Sequence, residues 1–148
     1  MKNIIYTRHD GGVSIVHLVP SEMLSGETEA AFIERIRATV VPPDATNVVV
    51  AEASAIPTDR EFREAWVAPG GVISVDIDKA KAIAHDKRRA KRTDEFAPLD
   101  IKATIPSEAA IAEAARQVIR DKYAALQSDI DAVSGVVELK DIVAGAGL

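Results

Sequence analysis

Residues 57–105 read PTDREFREAWVAPGGVISVDIDKAKAIAHDKRRAKRTDEFAPLDIKATI, and the rest of the chain can be placed around them. Thr58 followed by Glu61 is a capping-box pattern, which predicts a helix from Asp59 carrying Phe62 and Trp66, at i and i+4, on one face. Pro69-Gly70-Gly71 ends that helix, and Val72, Ile73, Val75 and Ile77 form a short β-type run. Asp76 or Asp78 can then cap a second, longer helix from near Lys79. Composition changes at this point, from mixed β-rich sequence to Ala- and charge-rich helix. That change predicts two regions: residues 1–77, a small α+β domain, and residues 78–148, a helical hairpin.

Upstream, β-rich runs at residues 4–7 and 13–19 flank Asp10-Gly11-Gly12, a turn signal that predicts a β-hairpin. Both faces of its second strand are partly apolar, so at least one meets other protein. Phe32, Ile33, Ile36 and Val40 recur every three or four residues over 28–40, the mark of an amphipathic helix. Pro42-Pro43 ends it, and residues 47–51 supply a third strand for the hairpin. Downstream, Pro106-Ser107-Glu108 opens another helix with Ser107 as its cap. Ile119, Tyr123, Leu126, Ile130 and Val133 follow at spacings of 4, 3, 4 and 3, a heptad seam. Its predicted partner is the preceding helix, through a stripe of Ala80, Ile83, Ala90, Ala97 and Ile101. Pro98 should kink or divide that helix. Residues 137–143 form a short terminal helix. The fold class is therefore α+β: a small antiparallel sheet with one or two helices, then a long coiled-coil-like hairpin and a short last helix.

A chain of 148 residues with 47% hydrophobic but only 4% aromatic residues builds its core mainly from Ala, Ile and Val. Ala-rich helices bury little area each, which favours a homo-oligomer or a subunit docked in a larger assembly. The net charge of −5 weighs against nucleic acid and membrane surfaces as partners. With no cysteine, disulfides and thiolate metal sites are excluded. No stretch approaches the roughly 20 apolar residues of a membrane span.

The blocks TDREFREAW (58–66), VDIDKAKAIAHDKRRAKR (75–92), FAPLD (96–100) and AEAARQVIRDKYAALQ (112–127), with the opening IIYTRHDGGVSIV (4–16), resemble small proteins encoded in the tail-gene modules of tailed bacteriophages and prophages. The resemblance covers most of the chain. It implies a virion component made in the host cytoplasm, a connector or decoration subunit in the tail or tail-fibre region, with other tail or fibre proteins as partners. The alternatives are a tail or tail-fibre assembly chaperone absent from the mature particle, and, third, a nucleic-acid-binding accessory protein.

No residue set predicts chemistry. His9, His17 and His85 lack chelating spacing, the Gly-Gly pairs lack a phosphate-loop context, and Asp59, Glu61 and Glu64 read as a cap and a solvated face. We therefore expect no catalytic, metal or cofactor residues, and a protein that is not an enzyme. The candidate residues are instead contact residues. Phe62 and Trp66 are core anchors or an exposed hot spot, and Ile119, Tyr123, Leu126 and Ile130 are candidates for facing a neighbouring subunit. Lys87, Arg88, Arg89, Lys91 and Arg92 form a basic run for an acidic partner surface, with Asp86, Asp94 and Glu95 beside it and no interleaved aromatics to suit nucleic acid.

Overall fold

The computed structural model describes residues 2–148 and divides into two compact units, Met1–Asp76 and Ile77–Leu148. The first is built on a three-stranded antiparallel sheet in the order β2-β1-β3, with β1 Lys2–Thr7, β2 Val13–His17 and β3 Thr46–Glu52. Consecutive isoleucines of the central strand point to opposite faces and seed separate clusters. Ile4 packs with Leu18 and with Phe32 of helix α1 (Glu29–Val40), whereas Ile5 packs with Ile56, Trp66, Ala68 and Ile73. Both faces of the sheet are therefore covered within this unit. The register follows the same alternation, Ile5 lying opposite Ile15 on one side and Val49 on the other.

Helix α1 begins as its sequence signals require. The Thr28 hydroxyl accepts from the Ala31 amide at 3.3 Å. The preceding loop is tied to it by Arg35, whose Nε and Nη2 each donate to the Glu27 carboxylate at 2.8 Å, while Nη2 also reaches the Glu22 carbonyl at 3.0 Å. This fork, with the Leu24 amide donating at 2.9 Å, holds the Glu27 carboxyl down at about 2, the Arg35 hydrogen bonds being the larger cause. A carboxyl whose folded value lies below its ordinary 4.5 contributes stability above that value and loses it as the pH falls towards about 2. The difference in melting temperature between the protein and a Glu27→Gln variant should therefore be widest at neutral pH and close across that acid range. A pH-independent difference would rule the fork out as its source.

The segment from 57 to 76 departs from the expected helix. The Asp59 carboxylate accepts from the Glu61 amide at 3.0 Å, an Asx turn that bends the backbone where a helix would begin. The only helical turns in it are 3-10, at Arg63–Ala65 and Pro69–Gly71. Trp66 instead starts strand β4 (Trp66–Val67), paired antiparallel with β5 (Ser74–Val75), Trp66 opposite Val75. The turn between them needs its glycines. Gly71 has φ +84°, and a Cβ there would clash with the Val49 side chain. Gly71→Ala combines a left-handed backbone with an overpacked contact, so it should cost about 2–4 kcal/mol. Urea unfolding followed by fluorescence of the single Trp checks this, and a loss of a few tenths would contradict the close approach.

The second unit is a helical hairpin with a third helix packed on it: α2 Ile77–Ala103, α3 Ala109–Ala132 and α4 Val136–Gly145. Three expectations change here. Pro98 does not divide α2, which runs on from Ile77 to Ala103, with Glu95–Lys122 and Asp100–Arg116 pairs to α3 on either side of the missing amide. Ser107 does not cap α3: the turn keeps a right-handed helical backbone into Glu108, and the Glu108 and Ala109 amides both donate to the Ile105 carbonyl at 2.9 Å. The buried stripe of α2 runs Ala80, Ala84, Arg88, at spacings of four, while Ala90, Ala97 and Ile101 are exposed. No helix among the described residues is long and apolar enough to cross a membrane.

Candidate functional site

The α2–α3 interface sets polar groups among its buried apolar residues. Tyr123 is 1% exposed, and its Oη donates to Oε1 of Glu95 at 2.9 Å. Lys122 Nζ donates to both oxygens of the same carboxylate, at 2.8 and 3.1 Å. The Lys122 ammonium, with help from the Tyr123 hydroxyl, holds the Glu95 carboxyl below the usual carboxylate range. Arg88 enters from α2 and donates from Nη1 to the Tyr123 carbonyl at 3.2 Å. It is one of only two buried polar residues among those described, and burial, reinforced by Arg89 and Arg92, pushes its guanidinium below its ordinary value.

These positions agree with Phe62 and Trp66 as core anchors and with α2 as the partner of α3, and they leave the seam no exposed interface. Tyr123, Leu126 and Ile130 are buried within the chain, and Ile119 is half-buried, so the seam is not a free surface for a neighbouring subunit. The heptad pattern identified a buried stripe, and α2 of the same chain packs along its helix. Phe62 and Trp66 are likewise buried, at 1% and 2% exposure, and do not form an exposed hot spot. The basic run is split by helical geometry: consecutive positions turn by about 100°, so Arg88 points inward while Arg89, Lys91 and Arg92 stay exposed and Lys87 is half-buried.

Two of the exposed arginines meet two more from α3. Arg89, Arg92, Thr93, Phe96, Ala97 and Asp100 on α2, with Arg116 and Arg120 on α3, line an open groove of about 590 Å³. The Phe96 ring lies under two guanidinium groups, Arg92 at 5.3 Å and Arg116 at 5.7 Å. Arg116 pairs with Asp100 and Glu113, each at 3.1 Å, and Arg120 with Glu113 at 2.8 Å. Arg89 pairs with Asp86. Arg92 has no carboxylate within ion-pair distance among the described residues, and its guanidinium is held only over Phe96. The Arg116 Nε is buried without a hydrogen-bond partner.

The sequence reading found Arg89 and Arg92 but missed Phe96, Arg116 and Arg120. The signal lay in the hairpin register: once the turn falls near residues 104–108, the i, i+4 pair Arg116 and Arg120 comes opposite Phe96 and Arg92.

The histidines assemble no metal site. His85 Nε2 is 2.9 Å from Asp131, His17 Nδ1 is 2.7 Å from Asn3, and His9 is exposed. Among the described residues, no group of three or more His, Asp or Glu side chains is placed to hold a metal. Compared with protein-family models, with curated proteins and with solved structures, the chain matches none.

Proposed function

We propose that this chain is a non-enzymatic component of a bacteriophage tail or tail fibre, present in several copies and acting through contacts with other tail proteins. The tail setting rests on the resemblance of its sequence blocks to tail-module proteins. The contact role is carried by one structural observation, the apolar turn of the helical hairpin. Ile101, Ile105 and Ile111, close in sequence at the turn between α2 and α3, are 69%, 40% and 74% exposed. Ile111 also lines a hollow of about 350 Å³ with Leu99, Ala112, Ala115, Lys102 and Glu108. Large exposed apolar side chains are costly to leave in water, and apolar patches mark association surfaces.

A double variant, Ile101→Asp with Ile111→Asp, tests this role directly. Both side chains are exposed, so helicity and unfolding midpoint should hold near wild type, while incorporation into particles should fall severalfold or more. Normal incorporation of the folded variant would remove the hairpin turn from the contact surface.

A further inference from the structure

We infer that the arginine groove of the helical hairpin is a docking site for an acidic helix of a partner protein. This deepens the proposed contact role and rests on it. The carrying observation is local charge. The groove lining sums to +3, from four arginines and Asp100, in a chain whose net charge is −5. With Asp86 and Glu113, which pair with its rim, the region still stands at +1.

The geometry favours carboxylates over phosphates. The groove already holds carboxylates in guanidinium pairs, at Asp100, Glu113 and Asp86, interleaved between its cations. A continuous phosphate backbone would run across those three negative charges and meet the repulsion of an acidic chain. A helix presents separate carboxylates, which can pair one at a time with guanidinium groups as these three already do. The Phe96 ring is already engaged by two guanidinium groups, which would compete with a base for stacking. Two of the lining residues, Thr93 and Ala97, are short, which eases the approach of a third helix to α2. Arg92, lacking a carboxylate of its own, is the first cation available to the incoming side chain.

The test titrates the full chain with a fluorescent amphipathic helical peptide bearing Glu at i and i+4 positions. Saturable binding should weaken at least about tenfold with Arg92→Glu and likewise with Arg120→Glu, and fade with added salt. Arg37→Glu, on α1 and not among the groove's lining residues, should change nothing. Arg92 makes no ion pair, so its variant should keep the wild-type circular dichroism. The inference is overturned if the peptide does not bind, or if its Gln analogue binds as well. It is also overturned if duplex DNA displaces the peptide at equal concentration, or if Arg92→Glu merely dissociates a self-assembled form, which would make the occupant a second copy. Failure of the tail assignment looks different: the peptide binds through Arg92, yet the chain is missing from particles.

Discussion

Trp66→Ala should remove about 3–5 kcal/mol of stability, the cost of deleting a large buried ring from a packed core. Trp66 is 2% exposed among Ile5, Ile56, Ala68 and Ile73, on the sheet face opposite α1, with the Arg60 guanidinium 5.9 Å from its ring. In a chain with one Trp, two Tyr and three Phe, no neighbouring aromatic can fill the space. Domains of this size have net stabilities of about 5–15 kcal/mol, so the loss would be a large part of the whole. Trp66→Phe should recover much of it, because a smaller ring still occupies the site. Urea unfolding followed by circular dichroism reads both variants, and an unchanged midpoint for Trp66→Ala would show that the ring is not in the core.

Tyr123→Ala should cost a similar about 3–5 kcal/mol, for a different combination of reasons. The ring is the largest of the fully buried side chains, and its hydroxyl supplies the hydrogen bond that links α3 to Glu95 of α2. Tyr123→Phe separates the two contributions. It keeps the ring and loses only the hydroxyl, so about 1 kcal/mol should go. Equal losses from the two variants would assign the whole effect to the hydrogen bond. No loss from Tyr123→Phe would mean that the Lys122 pair alone satisfies Glu95.

The same residues show how far the sequence could be read. Alternation in strands and three-to-four spacing in α1 and α3 are local signals, and each placed its element within a residue or two. Tyr123, Leu126 and Ile130 were legible as one stripe for that reason. What covers a stripe is not local. The α2 side was read as Ala80, Ile83, Ala90, Ala97 and Ile101, but the buried row passes through Arg88, whose long apolar stem can line an interior while its head finds the Tyr123 carbonyl. The helix expected from Asp59 with Thr58 as its cap does not form: the Asp59 carboxylate takes the Glu61 amide in an Asx turn instead, and Trp66 packs in the sheet cluster. The groove was half visible. Its α2 arginines stood in an obvious run, but Phe96, Arg116 and Arg120 join them only when the hairpin register is known.

A protein inventory of purified particles, by quantitative mass spectrometry with copy number, tests the proposed function most directly. This chain should be in the particle at a fixed number matching a symmetric ring or fibre of the tail. Abundance in the infected-cell lysate with absence from the particle would contradict it, and would make the chain a transient assembly factor.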